Sequence, residues 1–406
     1  MQREDISRPI IASPKECTGC SACASVCPQK CIKMATDSFG FFHASIDYGM
    51  CINCKACESV CPVVNGINPL NSRFLSAFAG YSLREDIRES SSSGGVFTEI
   101  GEYMLDRSGV VFGAAFDENY SVNHICVDNP SDLRKLRGAK YSQSKLNNTY
   151  QEVRRYLDFK RPVLFSGTPC QVAGLKRYLR KEYSNLLCVD FVCHGVTSPN
   201  VWDRYVQYRA QIDNNGVLPY YINLRDKESG WSHYKYSVHF QYKNHFSYKG
   251  LNGQDEFTRL YASNGIINLP CTECKFKGLN RASDITIGDF WGIWDVCPEI
   301  DDRKGVSLII CNSNSGKECL KGIEHNISIK EVTIKQATGQ NASYYESTGL
   351  SEYRSKILGT VCNEGITESI AVLDSIPRKL HQDFIHRFAN KMKFLFRQNE
   401  LDGKDN

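Results

Sequence analysis

One spacing constrains this chain more than any other feature. Cys17, Cys20, Cys23 and Cys27 read C-x2-C-x2-C-x3-C and are followed by Pro28. The same run recurs at Cys51, Cys54, Cys57 and Cys61, followed by Pro62. The offset is 34 residues at both ends, and the flanks repeat as Ser25-Val26-Cys27-Pro28 and Ser59-Val60-Cys61-Pro62. This is an internal duplication, not an accident of composition. Nine of the 19 cysteines in the 406-residue chain fall within its first 61 residues. Disulfide scaffolds are normally short and secreted. This chain is long and starts Met1-Gln2-Arg3-Glu4-Asp5, with no apolar signal core. A cytoplasmic protein using its thiols for metal or redox chemistry is expected.

The spacing has a physical reason. A tight loop can aim three thiolates at three corners of one Fe4S4 cube, while the fourth cysteine, on the following turn, points to a second cube. That is the bacterial two-cluster ferredoxin pattern. Cys17, Cys20, Cys23 and Cys61 are therefore assigned to one 4Fe-4S cluster, and Cys51, Cys54, Cys57 and Cys27 to the other. Structural zinc sites use paired C-x2-C halves instead. Cys31 has no place in the pattern and reads as a small buried apolar residue. Two cubes suit one-electron transfer but choose no substrate, so the rest of the chain must supply the chemistry or the partner.

Composition sets limits on that remainder. Lys+Arg 49 against Asp+Glu 45 leaves +4, too weak a balance for a nucleic-acid protein by default. An apolar content of 41% can build sizeable cores, and no stretch reaches the length of a membrane span.

Residues 62–75 read as a linker. Ser90 to Gly95 leads into Val96–Leu105, whose apolar residues have helical spacing. Two readings stay open there. The serines and glycines form a phosphate or flavin cradle at the helix start, or they are an ordinary N-cap. Val110–Phe116 reads as a buried strand. Leu136–Ser144, taken alone, passes as a surface turn. Pro162–Gly167 reads as a strand, Thr168 as a helix cap, Pro169 as the first turn and Gln171–Leu179 as the helix body. Cys170 then sits where the helix dipole favours thiolate. Asn185–Val192 is a second strand, ending at Cys193-His194-Gly195, so a βαβ unit delivers two cysteines near strand ends, where ligand sites gather. With Cys271-x-x-Cys274 they would complete four thiolates for a third cluster; a zinc knuckle and buried thiols are the alternatives. Tyr220–Tyr248 alternates in the manner of hairpins. Cys126, Cys188, Cys297, Cys311, Cys319 and Cys362 read as core or incidental. No G-x-G-x-x-G and no Walker A run occurs. Residues 376–397 are basic and apolar, a helix that either lies on a membrane face or, the commoner outcome, packs on its own domain.

Taken in order, several runs resemble the beta subunit of coenzyme F420-reducing hydrogenase and F420-dependent formate dehydrogenase. They are Ser92-Ser93-Gly94-Gly95-Val96-Phe97, Lys140-Tyr141-Ser142-Gln143-Ser144, Gly167-Thr168-Pro169-Cys170-Gln171, Cys193-His194-Gly195, Arg225-Asp226-Lys227 with Gly230-Trp231, Cys271-x-x-Cys274, and Gly288-Asp289-Phe290-Trp291-Gly292. The resemblance covers roughly residues 75–345, and is nearest the bacterial members that travel with polysaccharide-biosynthesis enzymes. It implies an α+β core carrying FAD and an iron–sulfur cluster. Ser92, Ser93, Gly94, Gly95, Lys140, Tyr141 and Thr168 are then the expected flavin contacts, and Cys170, Cys193, Cys271 and Cys274 the third cluster's ligands.

The expected organisation follows. Residues 1–70 form the ferredoxin domain, 75–155 and 156–345 the two parts of the flavin-binding core, and 346–406 a basic helical extension. The expected activity is an oxidoreductase passing electrons between clusters and FAD, with hydride exchange to an organic substrate or coenzyme F420. The alternative is an electron-transfer subunit that wires a partner. A redox partner protein or organic substrate is expected, with no nucleic acid. His194 and Lys140 are the only acid–base candidates, and the catalytic residues stay unassigned.

Overall fold

The computed structural model describes residues 8–67, 75–231 and 235–377. The chain opens with two copies of one device. Short helical turns at Ala22–Val26 and Ala56–Val60 follow the first cysteines of each run. The 34-residue offset holds in the backbone as well as in the sequence. Gly19 and Asn53 have φ of 73° and 54°, and Ser21 and Lys55 have φ of 62° and 56°. Cys27 and Cys61 leave their helices in almost identical extended conformations, φ −68° and −71°. Between the copies a hairpin pairs β1 (Ile32–Thr36) with β2 (Phe42–Ile46). The expected linker instead begins as a helical turn at Pro62–Asn65, Pro62 taking the first position, where its missing N–H costs nothing.

An eight-stranded mixed sheet forms the core. Its strands are β3 (Ser76–Ser82), β4 (Val110–Phe116), β5 (Val122–Val127), β6 (Val163–Ser166), β7 (Leu186–Phe191), β11 (Ile285–Asp289), β12 (Ser307–Cys311) and β13 (Ile327–Val332). Their order is β13-β3-β12-β11-β7-β6-β4-β5. The centre, β4-β6-β7-β11, is parallel and the edges are antiparallel. The central strands are mostly apolar because helices cover both their faces, the buried exceptions being Asp190 of β7 and Thr286 of β11. The segment between β7 and β11 carries a separate antiparallel sheet of β8 (Tyr221–Asp226), β9 (Ser237–Gln241) and β10 (Ser247–Leu251). The architecture is thus a two-cluster-type ferredoxin domain fused to a mixed α and β core.

The two parts share one apolar core. Ala12, Cys20, Ala22, Val60 and Val63 pack with Tyr150, Val172 and Ala173 of the sheet's covering helices. Polar clasps fix the orientation. Arg177 donates to Asn65 O (2.7 Å) and Gly66 O (3.0 Å), and Gln151 to Ser25 O (3.2 Å). Helices Arg354–Asn363 and Ile366–Asp374 contribute Ile357, Leu358, Val361 and Ile366 to a cluster with Trp202, Tyr205 and Phe257, so this part of the 346–406 segment is built into the core. The basic stretch from Arg378 onward lies outside the described residues. No described helix is long and apolar enough to cross a membrane.

Candidate functional site

The eight cysteines of the duplicated run line two cavities, and each cavity mixes the runs. Cys17, Cys20, Cys23 and Cys61 line one, and Cys27, Cys51, Cys54 and Cys57 the other. Among the described residues, no three or more His, Cys, Asp or Glu stand as one metal ion would require. The thiols of each set face one another across a space, an arrangement that suits an inorganic cube filling it. The 34-residue symmetry breaks at Cys31. It does not merely fill the core but lines the second cavity, its sulfur 3.4 Å from that of Cys27. Burial acts against the charged form of Cys27, but hydrogen bonds from Cys31 and nearby amides outweigh it and lower its pKa. Cys31 itself is pushed up to about 12 by burial. Burial also raises Cys17, Cys20, Cys23 and Cys57, so their thiolates form readily only on a cation that replaces the lost water.

The helix Pro169–Leu179 carries the connection inward. Thr168 caps it in a reciprocal box with Gln171, as expected, and Cys170 follows in the first turn. The Thr168 hydroxyl lies 3.0 Å from the Cys170 sulfur, which places Thr168 beside the third set of cysteines. Burial pushes Cys170 up to about 12, overriding the help expected from the helix terminus. Cys193 rises to about 11 for the same reason. Cys170, Cys193, Cys271 and Cys274 lie close enough for their charges to repel one another. The loop bearing Cys271 and Cys274 is tied down by Lys277, which donates to Cys193 O and Ser343 O, and by Cys274 N–H donating to Ser347 Oγ (2.9 Å). Gly195 gives Cys271 room, since a Cβ there would meet the Cys271 Cβ at 3.2 Å. One turn beyond Cys170, a Cβ on Gly174 would lie 3.0 Å from the Cys20 sulfur. The first cavity therefore adjoins the third set of cysteines.

The Lys140–Ser144 run is not a surface turn. Lys140, Ser142, Gln143 and Ser144 are buried. Gln143 clasps the ferredoxin domain, accepting from Phe42 N–H (2.7 Å) and donating to Thr18 O (3.2 Å) beside Cys17. Ser144 bridges Gln171 Nε2 (2.9 Å) and His124 Nδ1 (3.0 Å), and His124 Nε2 faces Ser166 O (3.1 Å). Burial holds the His124 imidazole down to about 4. Between its usual value near 6.5 and about 4, the unfolded chain takes up a proton that the folded chain refuses. This stabilisation is complete above about pH 6.5 and is lost as pH falls, by up to about 3 kcal/mol. His124→Gln is expected to lose less stability than the parent between pH 7 and 5 in anaerobic thermal unfolding; parallel pH profiles would remove the role.

The serine–glycine loop gathers a second neighbourhood. Ser92 Oγ accepts from Ala139 N–H (2.8 Å), Ser93 Oγ donates to Val306 O (3.0 Å), and Gly94 sits so close to β3 that a Cβ would lie 2.6 Å from Gly80 O. Gly95, at φ 85°, precedes the helix Val96–Leu105. Lys140 turns its ammonium onto the carbonyls of Lys135, Arg137 and Gly138. Burial brings it down to about 7, while those three acceptors favour its charge. Facing this loop are residues whose motifs stand out in the sequence but whose place in a site does not. Trp231 Nε1 donates to Ser92 O (3.3 Å), and Lys227 donates to Ser93 O (2.7 Å) and Lys304 O (2.9 Å). Trp231 stacks on Trp291 at 5.0 Å. Arg225 pairs with Asp289 (2.9 Å), lies over Tyr236 at 4.0 Å and reaches Tyr141 Oη at 3.3 Å, yet its buried Nε has no hydrogen-bond partner. Tyr141 packs on Tyr261 (4.8 Å), whose hydroxyl donates to Gly195 O (3.2 Å). The Arg225 neighbourhood and the third cysteine set thus meet through two tyrosines. His194 has both ring nitrogens engaged, by Ser343 and Asn264, and orders this turn.

The chain is similar to known proteins along most of its length. Residues 16–65 match the 4Fe-4S dicluster domain family. Two further family models describe the N-terminal and C-terminal portions of the coenzyme F420 hydrogenase/dehydrogenase beta subunit; the first matches residues 77–150 and the second residues 160–337. Among solved structures, a chain of the xenon-derivatised F420-reducing NiFe hydrogenase complex from Methanosarcina barkeri is similar at 14% identity and a TM-score of 0.44, over 75% of this chain and 92% of that one. No curated protein matched the chain.

Proposed function

Because the chain belongs to the coenzyme F420 hydrogenase/dehydrogenase beta subunit family and carries a 4Fe-4S dicluster domain ahead of it, we propose that it is a flavin-dependent iron–sulfur oxidoreductase. Single electrons pass between the dicluster domain and the core, where a two-electron organic substrate is turned over. The observation that carries this reading is the seating of Cys20 on Gly174, one helical turn from Cys170. It puts the first cavity against the third cysteine set and makes one line of the three.

The residues divide the work along that line. Cys27, Cys51, Cys54 and Cys57 would hold the outer cluster, Cys17, Cys20, Cys23 and Cys61 the inner one, and Cys170, Cys193, Cys271 and Cys274 the third. Gln143 and Gly174 hold the inner site at its distance from the core. FAD, when bound, supplies the conversion between single electrons and a hydride. Arg225 fits such an anionic cofactor, because a buried guanidinium with an unused donor requires an acceptor. Tyr141, Tyr236 and Trp291 exclude water around it. Coenzyme F420, named in the family description, is one candidate for the two-electron partner.

A carrier without flavin is the second reading. It is favoured by the serine–glycine loop and Lys140, whose polar groups are already satisfied by the chain itself. Iron, sulfide and flavin content of anaerobically purified protein separates the two. About twelve irons and one flavin per chain support the oxidoreductase. About eight irons and no flavin would leave only the loaded dicluster domain and favour the carrier.

A further inference from the structure

Two hydroxyls converge on one sulfur where the ferredoxin domain meets the core. The first is that of Thr168. Its oxygen accepts from Gln171 N–H (3.4 Å) in the helix cap, and it lies 3.0 Å from the Cys170 sulfur. Its own hydrogen is free for that sulfur, and a cysteine that ligates iron has no proton to offer in return. The second hydroxyl comes from the other side of the boundary. Thr18 lines the inner cavity, and its Oγ1 is buried with no hydrogen-bond partner of its own. Burial opposes charge on Cys170, and the hydroxyls of Thr168 and Thr18 both favour it. An orphaned buried hydroxyl costs free energy unless it finds an acceptor, and a negatively charged sulfur beside it is one.

The duplication shows that this placement is particular. The residue 34 positions after Thr18 is Ile52, which lines the outer cavity and is 58% exposed. The hydroxyl stands in the copy laid against the core, and the apolar side chain in the other. Thr18 is also held in place. Its carbonyl accepts from Gln143 Nε2 (3.2 Å), and Gln143 is buried in the Lys140–Ser144 run of the core.

We infer that Thr18 and Thr168 donate hydrogen bonds to the Cys170 sulfur and thereby raise the reduction potential of the third cluster. This inference rests on the relay described above. A reduced cube carries one more negative charge than an oxidised one, and donors to its sulfurs stabilise that charge. When the inner cluster passes on one electron, it is oxidised by one unit and the third cluster is reduced by one. The two threonines bias that exchange toward the core. They are positioning residues, which act through a ligand sulfur and move no proton. One comes from each part of the chain, so the bias is complete only while the ferredoxin domain is seated on the core.

The test is a mediated redox titration of anaerobic holoprotein, followed by electron paramagnetic resonance. Thr168→Val and Thr18→Val each remove one hydroxyl at nearly constant shape. Both are expected to lower the same reduction step, by about tenfold in the ratio of reduced to oxidised cluster, or about 59 mV. Thr168→Ser and Thr18→Ser are expected to keep the parent potential, which a purely structural role does not predict. Thr168→Val also weakens a helix cap; Thr18→Val caps no helix and keeps the test independent of that loss. Steps that stay where they are in both valine variants would overturn the inference. So would a step that falls equally with valine and serine, or two valine variants that move different steps. Iron content separates this inference from the relay. About twelve irons with unmoved potentials defeat the threonines alone and leave the relay standing, whereas about eight irons in the parent remove the third cube and defeat both.

Discussion

Replacing Cys20 and Cys61 together by alanine is expected to remove no more iron than replacing either alone. Both line the inner cavity although they are 41 residues apart and belong to different runs. Either substitution should cost one cube, about four irons per chain, and the second then removes a ligand from a cube already lost. The reason lies in the backbone. Each run ends in a five-residue helix, and the cysteine after it leaves in an extended conformation that carries its side chain to the other run's cavity. Cys20→Ala/Cys27→Ala is the contrast, because it touches both cavities and should cost about eight irons. Iron and sulfide analysis gives the count, and electron paramagnetic resonance of the reduced protein identifies the surviving cluster. If Cys20→Ala/Cys61→Ala loses two clusters, each run is self-contained and the crossing is wrong.

The largest expected loss of stability comes from Arg281→Ala. Arg281 and Asp190 are 1% and 0% exposed, with Nη1 3.3 Å from Oδ2. Asp190 lies on β7, three residues before Cys193, and its other oxygen accepts from Thr286 Oγ1 (2.6 Å). Arg281 also donates to Gly278 O (2.9 Å), so the pair pins the loop after Cys274 to the strand that presents Cys193. Burial alone already pushes the Asp190 carboxyl up, and removing its cation leaves that charge uncompensated. Breaking a buried pair in this way costs about 3–5 kcal/mol. Asp190→Asn is expected to cost less, because Thr286 keeps a partner and Arg281 keeps its carbonyl. Anaerobic thermal unfolding of the two variants checks the order; a smaller fall for Arg281→Ala than for Asp190→Asn would count against the pair as the organiser of this loop.

Much of the fold is legible in the sequence. Val110–Phe116 and Asn185–Val192 read as strands because a central parallel strand is mostly apolar, and Thr168-Pro169 reads as a helix start because both residues are suited to that position. The Lys140–Ser144 run misleads because its polar side chains belong to a surface by composition. Its partners, Phe42, Thr18, His124 and Gln171, are distant in sequence. Arg225, Lys227, Trp231 and Trp291 stand in recognisable motifs yet are not legible as one site, for the same reason: nothing local says that β8 and the end of β11 face the serine–glycine loop.

The division is physical. Spacing within a few residues fixes what a short loop can aim at one point, so the duplicated run alone determined a two-cluster domain and its crossed pairing was expected from the run. The repeat is blind to position, however, and treats its two halves alike. Only the tertiary structure made one cavity inner and the other outer, by laying Cys20 on Gly174 and leaving Cys54 in water. It also brought Cys31 into the outer cavity, where no spacing rule places it. Which site faces the core depends on packing between residues more than a hundred positions apart, such as Thr18 with Gln143 and Cys20 with Gly174, and no local pattern encodes that distance.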